Sequence, residues 1–213
     1  LGEGDKVRFE VSVSDKNNSY NIGLTNPYFM ERPLSISFDL YNEQSENTAG
    51  DVESSSSGVG VALGLKNNLW YQQLKYNYYS SETTTSSTST ANSITGEEGK
   101  EIITSAMTLR VSKDTRDNYL NPKSGYLISF DNTLAGFGGD STFVKSVFKS
   151  KIFYPLNYGD YTLGLKSGVG SINSLDDKIT SSNRFRLGGK TLRGFDNTGV
   201  GPRDTGNSQI VGG

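Results

Sequence analysis

The sequence predicts an all-β protein of about nine antiparallel strands, and two observations support this. Apolar and polar residues alternate with period two through most of the 213 residues, which is typical of strands that have one apolar face. No segment keeps a 3.6-residue period, so almost no helix is expected. The alternating segments run for roughly 6–13 residues, within the range of tilted barrel strands.

The strands can be followed in chain order by their alternating apolar residues. These are Val7, Phe9, Val11 and Val13; Leu34, Ile36, Phe38 and Leu40; Val59, Val61, Leu63 and Leu65; Met107, Leu109 and Val111; Tyr126, Ile128 and Phe130; Val144, Phe148, Ile152 and Tyr154; and Tyr161, Leu163, Leu165 and Val169. Segments near 19–25 and 69–79 complete the nine. The stretches 44–56 and 80–100 are rich in Ser, Thr and Glu, which predicts long polar loops. Residues 80–93 are low in complexity and expected to be mobile, and 80–100 are expected to be dispensable for folding.

The other face of these strands is polar, and two architectures can explain it. Its charged residues are Arg8, Glu10, Asp39, Arg110, Asp131, Lys145, Lys149, Lys151 and Lys166. In a transmembrane barrel they would line a wet lumen, while Ile128 and Phe130 would face lipid and Ser129 and Asp131 the lumen. In a soluble β-sandwich the charged face would meet solvent. Periodicity alone does not separate the two architectures. Aromatic residues near strand ends fit the interfacial girdles of a barrel.

Composition excludes several functional classes. Hydrophobic residues make up 33% of the chain, and no run approaches the ~18 apolar residues that a membrane helix requires. Cysteine and histidine are absent, so thiolate or imidazole metal sites and histidine-dependent nucleophilic catalysis are excluded. The net charge of −2 gives no basic field for nucleic acid. We therefore expect a protein that is not an enzyme and has neither a cofactor nor a nucleic-acid partner.

The stretch 184–203 is the most informative part of the chain. It reads R-F-R-L-G-G-K-T-L-R-G-F-D-N-T-G-V-G-P-R. Glycine at this density serves backbone that bends sharply or approaches another surface closely. Its arginines supply rigid charged forks that bind carboxylates. A long loop of this kind among strands more often has a function than serves only as a connection.

A second motif, D-T-R-D-N, precedes the strand that contains Phe130. Its residues Asp114 and Asp117 could bind a cation through oxygen. Aspartates are also common turn formers, because their side chains accept hydrogen bonds from nearby backbone N–H groups. The turn-forming interpretation is favoured here.

Three motifs in this order resemble the BamA family of outer-membrane assembly barrels. The first is T-N-P-Y-F at 25–29, and the second is the D-T-R-D-N turn with Asp114, Arg116 and Asp117. The third is the L-R-G-F tetrad within the glycine-rich loop. Its candidate functional residues are Gly188, Gly189, Leu192, Arg193, Gly194, Phe195, Gly201, Pro202 and Arg203. The resemblance covers essentially the whole chain.

The resemblance implies a partial antiparallel transmembrane β-barrel of about nine to ten of sixteen strands, with a long inward-folding loop near the C-terminus. Residues 1–213 would be the central part of that single domain, strands three to eleven, without the periplasmic POTRA repeats or the first and last strands. Family members act in the bacterial outer membrane, where they insert other β-barrel proteins without covalent chemistry. Implied partners are outer-membrane lipids, nascent outer-membrane β-barrel proteins, accessory assembly lipoproteins and periplasmic chaperones.

The same resemblance implies a role for Arg193. It would fold inward with its loop and pair with lumen carboxylates that lie on strands after residue 213. Within the same superfamily, a TamA-like barrel, a two-partner secretion pore or an organelle import barrel remains an alternative. From a different class, a soluble β-sandwich binding module is the further alternative.

Overall fold

The computed structural model describes residues 4–14, 17–47, 52–85, 97, 99–157, 160–176, 179–189, 191–195, 199–203 and 210. These residues form nine strands, and their helical elements include two 3-10 turns at Phe29–Glu31 and Ser181–Asn183. The strands are β1 (Lys6–Val13), β2 (Asn17–Asn26), β3 (Leu34–Asn47), β4 (Val52–Asn67), β5 (Trp70–Thr85), β6 (Glu101–Asp114), β7 (Gly125–Ala135), β8 (Phe143–Leu156) and β9 (Tyr161–Ser174). The predicted number of strands is confirmed.

All nine strands lie in one antiparallel sheet in chain order, β1 to β9. Strand neighbours in sequence are therefore neighbours in space, as in an up-and-down barrel wall. The strand ends that flank 27–33, 68–69, 115–124 and 157–160 lie at one end of the sheet, which we call the turn end. The strand ends that flank 14–16, 48–51, 86–100 and 136–142 lie at the other, the loop end, where β9 also ends.

The sheet curls around a cavity of about 670 Å³, which residues of β1, β2, β3 and β5 to β8 line together. Its concave face carries polar and charged side chains, including Arg8, Asp39 and Asp131. The alternate residues point to the convex face, where large apolar side chains are exposed. Phe9 is 73%, Val169 70% and Phe130 44% exposed.

Buried apolar side chains are few among the described residues. They are Ala62, Ala106, Ala135, Phe143 and Ile210. A soluble protein of this size would bury most of its Val, Leu, Ile and Phe residues. The sandwich alternative is wrong, because the described strands form a single sheet whose apolar face has no second sheet against it.

The predicted polar loops proved shorter than expected. β3 continues to Asn47 and β4 begins at Val52, so most of 44–56 is paired strand. β5 continues to Thr85, and its residues Ser81 and Thr83 are only 4% and 5% exposed. The expectation that all of 80–100 is a loop is therefore wrong for 80–85, whereas its dispensability for folding stays a prediction. Residues 86–96 and 98 lie outside the described residues.

The error has a physical cause. Hydropathy marks only the apolar band of a strand, whereas backbone pairing continues into polar sequence as long as a neighbour is available. Serines 54–57 of β4 lie opposite 80–83 of β5, so each of these residues is still paired with a residue of the neighbouring strand. Threonine, being β-branched, fits an extended strand well.

Candidate functional site: the concave face, the hairpin and the 114–125 turn

Ion pairs across the sheet organise the concave face from β1 to β7, and two of the three reach over an intervening strand. Asp39 of β3 accepts from Arg8 Nη2 at 3.4 Å and from Lys75 Nζ at 3.3 Å, so one carboxylate serves two cations. Gly23 makes room for the first pair, since a Cβ there would lie 3.1 Å from Asp39 Oδ1. Gly60 makes room for the second, since a Cβ there would lie 2.8 Å from Lys75 Cε.

Directly across the β6–β7 register, Arg110 binds Asp131 through both ends of its guanidinium group. The Nε–Oδ1 distance is 2.6 Å and the Nη2–Oδ2 distance is 2.9 Å. Bidentate pairs of this kind are the strongest that arginine forms with carboxylates. The next inward-facing pair, Thr108 and Thr133, shares a hydroxyl hydrogen bond of 2.8 Å. The concave face is therefore a polar wall held by cross-strand contacts.

After β9 the chain folds back onto this wall through residues 179–186. Asn183 accepts from the Tyr79 hydroxyl at 2.9 Å through its side chain and from Lys145 Nζ at 2.9 Å through its backbone carbonyl. The ring of Phe185 covers Gly170, where a Cβ would lie 2.5 Å from its Cζ. Lys145 Nζ lies 4.5 Å from the centre of the same ring, a cation–π contact. The inward-folding loop is therefore present, and it is anchored at 179–186.

These anchoring residues were missed by the sequence analysis. Asn183 and Tyr79 are 104 positions apart in the chain, and neither belongs to a motif. The R-F-R pattern at 184–186 drew attention to its arginines, whereas the side chain that packs on the wall is Phe185. Arg186 donates to Ser181 Oγ at 2.9 Å. Burial and the neighbouring Arg184 charge lower its pKa.

The glycine-rich residues form a tight hairpin beyond the anchor. Leu187 and Val200 pair through backbone hydrogen bonds of 3.0 and 3.4 Å, and Gly189 N–H donates to Phe195 O at 3.0 Å. Positive φ angles of 145°, 51° and 91° at Gly188, Gly189 and Gly194 account for the glycines at these sharp bends.

The hairpin presents Leu192, Arg193 and Phe195 on its surface, and Leu192 is 40% and Phe195 53% exposed. Arg193 is exposed and forms no hydrogen bond or ion pair with the described residues. The sequence analysis expected its carboxylate partners outside this chain, and that pairing stays a prediction. Gly201 and Pro202 follow the paired Val200, and Arg203 forms an isolated bridge with Ile210.

The D-T-R-D-N motif forms an internally bonded turn at the turn end. Arg116 binds Asp114 through Nε at 2.8 Å and Nη2 at 2.7 Å, and its side chain is only 8% exposed. The guanidinium also stacks 5.1 Å from the ring centre of Tyr119. Asp117 Oδ1 accepts three backbone N–H groups at 2.9–3.1 Å, from Asn118, Lys123 and Ser124.

Both aspartates are thus occupied by turn contacts, in agreement with the favoured interpretation. Among the described residues there is no group of three or more acidic side chains placed to hold a metal ion. Nor does the described part of the chain contain a helix long and apolar enough to cross a membrane.

Acid is expected to loosen the Asp117 cap selectively. The N–H groups of Ser124, Lys123 and Asn118 hydrogen-bond its carboxylate and lower the pKa of Asp117 below the ordinary 3.8. Because folding lowers this pKa, the ionised carboxylate stabilises the turn at pH values above 3.8. That stabilisation is lost as the pH falls through the pKa of the folded state. Hydrogen exchange should show Lys123 and Ser124 losing protection below pH 3.8.

The same turn contains an internal control. Asn118 Oδ1 accepts the N–H groups of Leu120 at 2.8 Å and Asn121 at 3.0 Å. A side-chain amide does not titrate in this range, so these two amides should keep their protection longer than Lys123 and Ser124. Equal loss of protection in both pairs as the pH falls would show that the Asp117 carboxylate does not hold the turn.

The family model of the Omp85 superfamily domain matches residues 1–213. The chain belongs to the Omp85 superfamily. It is 27% identical to the outer membrane protein assembly factor BamA of Neorickettsia risticii, over the whole chain and 29% of that protein. It is 26% identical to sorting and assembly machinery component 50 homolog A of Xenopus laevis, over 97% of the chain and 44% of that protein.

A solved structure of BamA shares the fold. The crystal structure of BamA from Haemophilus ducreyi lacking POTRA domains 1–3 superposes with a TM-score of 0.83 at 17% identity, over 96% of this chain and 42% of that chain. The described Omp85 sheet is therefore a BamA-like barrel wall. The chain spans less than a third of the two curated BamA relatives that it matches, 29% and 27%.

Proposed function

We propose that the full-length protein containing this chain assembles and inserts β-barrel proteins into the outer membrane of a bacterium. The observation that carries the proposal is the match along the whole chain to the Omp85 superfamily. One relative is named as an outer membrane protein assembly factor and another as a sorting and assembly machinery component. The anchored loop and the glycine-rich hairpin support it, because they are the features that the family resemblance implies for this function.

The two faces of the sheet support a membrane location. The convex face exposes Phe9, Val169 and Phe130, which lipid tails would cover without the cost that water imposes. The concave face pairs its charges at Asp39 and Asp131, as a wet lumen allows. The proposed role is non-enzymatic: the protein perturbs the bilayer locally and offers strand edges to nascent barrel proteins.

The nine strands are proposed to be the third to eleventh of a sixteen-stranded barrel. Among the described residues, β1 and β9 each pair on one side only. Unpaired backbone groups within lipid cost several kcal/mol each, so spanning sheets close on themselves. We propose that both strands pair with strands supplied by the rest of the protein. We further propose that POTRA repeats, lipoproteins and periplasmic chaperones deliver substrates to the full-length protein.

The proposal is tested by reconstituting the full-length protein in liposomes and adding an unfolded outer-membrane β-barrel protein. Heat-modifiable gel mobility and protease protection should show the substrate folding into the bilayer faster than in protein-free liposomes. Equal rates would refute the assembly function. Passage of a secreted substrate into the vesicle interior, without acceleration of membrane insertion, would favour the secretion-pore alternative.

A charge at the middle of the convex face should destabilise the barrel. Phe130 lies at the centre of β7, between Val111 and Phe148 of the neighbouring strands. In the full-length protein, Phe130→Arg should lower the free energy of unfolding by about 2–4 kcal/mol if this position is at mid-membrane depth. Denaturant titration in lipid vesicles measures the effect.

The control for Phe130→Arg is Tyr154→Arg. Tyr154 is 63% exposed on the same face but lies near the turn end of β8. At the membrane interface an arginine costs only about 0–1 kcal/mol. If the two variants lose the same stability, the convex face does not have the membrane depth proposed here.

A further inference from the structure

The concave face of β8 and β9 carries positive charges that its own strands do not neutralise. Lys149, Lys151 and Lys166 are exposed there, and none of them forms an ion pair with a described residue. Lys151 and Lys166 lie directly opposite each other in the register. Like charges in that arrangement destabilise a sheet unless an acceptor lies between them. This contrasts with Asp39 and Asp131, which pair the cations of β1 to β7.

The surface beside these lysines is open at two glycines of β9. Lys166 lies between Gly164 and Gly168 on the concave face of β9. A Cβ at Gly164 would have Phe153 as its nearest neighbour at 3.6 Å, and one at Gly168 would approach only the carbonyl of Phe148 at 3.8 Å. No described side chain therefore covers the backbone of β9 at these two glycines, and another polypeptide can approach it there. We call the surface formed by Lys149, Lys151 and Lys166 with these two glycines the basic shelf.

The position of the basic shelf decides from which side it is reached. Lys145, the next lysine along β8 toward the loop end, is occupied by Asn183 O and the ring of Phe185. The anchored segment 179–186 thus covers the sheet on the loop-end side of the shelf. Lys151 and Lys166 are five residues from the ends of their strands at the turn end. A ligand therefore enters from the turn end.

The spacing of the charges selects an extended ligand. Lys149 and Lys151 point to the same face two residues apart, a separation of about 7 Å along a strand. Carboxylates at alternate positions of an extended polypeptide have the same separation.

We propose that the basic shelf binds an extended polypeptide segment that carries acidic side chains at alternate positions and enters from the turn end. This inference rests on the proposed function, since the ligand would be a strand of a substrate protein before its insertion. The rival occupant is a set of carboxylates from the protein's own remaining barrel wall.

The test uses the full-length protein in detergent or nanodiscs and fluorescent peptides, read by anisotropy at equilibrium. One peptide has aspartates at alternate positions, and a second has the same composition with the aspartates adjacent. The alternating peptide should bind with saturation, more tightly than the adjacent one, and more weakly as salt is raised. The triple variant Lys149→Gln, Lys151→Gln, Lys166→Gln should weaken its binding about ten-fold.

The matched control is Lys113→Gln. Lys113 belongs to the same sheet but lies on the convex face at the turn end, 5.3 Å from the ring centre of Trp70 and 5.7 Å from that of Tyr126. It should leave peptide binding unchanged. Equal weakening by Lys113→Gln, or equal affinity for both peptides, would overturn the proposal by reducing it to general charge attraction.

Two further outcomes separate the remaining possibilities. Absence of saturable peptide binding, together with a lower unfolding temperature of the triple variant, would mean that the protein's own carboxylates occupy the shelf, and would overturn the proposal. The liposome insertion assay of the unmodified protein tests the proposed function independently. Insertion without peptide binding would therefore refute the shelf alone, whereas absence of insertion would refute the function.

Discussion

Replacing Gly125 by alanine in the full-length protein is expected to lower the free energy of unfolding by about 3–5 kcal/mol, or to prevent folding of the barrel. Gly125 opens β7 with φ of 92°, a conformation that side chains rarely adopt. An added Cβ would overlap the carbonyl of Thr115 and lie 2.9 Å from Arg116 Cα. Both neighbours are backbone atoms, so relief requires the turn itself to move.

Movement of the turn would disrupt several contacts at once. Thr115 N–H donates to Tyr126 O at 2.8 Å, and Tyr126 N–H donates to Thr115 Oγ1 at 3.0 Å. These bonds join the turn to the first residues of β7. Denaturant titration and heat-modifiable gel mobility measure the loss of stability.

The variant Gly138→Ala distinguishes the steric overlap of an added Cβ from the strain of a positive φ. Gly138 also has a positive φ, 106°, but a Cβ there would meet no atom within 4 Å. Alanine at that position should cost only about 1–2 kcal/mol, the usual penalty of a left-handed conformation. If the two alanine variants are equally stable, overlap with Thr115 does not determine the need for glycine at position 125.

Removal of the Arg193 guanidinium should have an effect of similar size. We predict that in the full-length protein Arg193 turns inward and pairs with carboxylates of the lumen, as the family resemblance implies. Breaking such a buried pair leaves an uncompensated charge and costs about 3–5 kcal/mol. Arg193→Ala should therefore reduce barrel stability and assembly rate, and Arg193→Lys should restore them only in part, because lysine cannot bind bidentately.

Arg32→Ala is the control for this prediction. Arg32 is an exposed arginine between β2 and β3 at the turn end, and loss of such a residue costs less than about 0.5 kcal/mol. Unchanged stability and growth with Arg193→Ala would show that the hairpin arginine stays on the surface, as it lies in the described chain.

Much of the fold could be predicted because successive side chains of a strand point to opposite faces, so that the alternation of apolar and polar residues shows which residue lies on which face. The alternation at Phe130 and Asp131 placed the first on the convex face and the second on the concave face, where each lies. The same rule did not mark where strands end. Ser81 and Thr83 are buried strand residues in a stretch that composition assigns to a loop, because ladder hydrogen bonds do not depend on side-chain hydropathy.

The candidate site was predicted unevenly for a related reason. The contacts of Asp117 span at most seven residues, so a local motif is sufficient to predict its capping role. The glycines at 188, 189 and 194 could be predicted in the same way, because each is needed for a positive φ at its own position. Asn183 is different, because its partners Tyr79 and Lys145 come from two other strands, and nothing in the neighbouring sequence specifies them.

The sequence by itself determined the strand alternation, the glycine bends, the D-T-R-D-N turn and the absence of cysteine and histidine chemistry, since each depends on residue type and short spacing alone. Only the tertiary structure decided that no described residue covers the apolar face, and that residues 179–186 anchor the loop through Phe185. It also decided that three lysines of β8 and β9 gather without an ion pair to any described residue. These features depend on register and curvature, which bring together side chains far apart in sequence, and no local pattern encodes the distances between them.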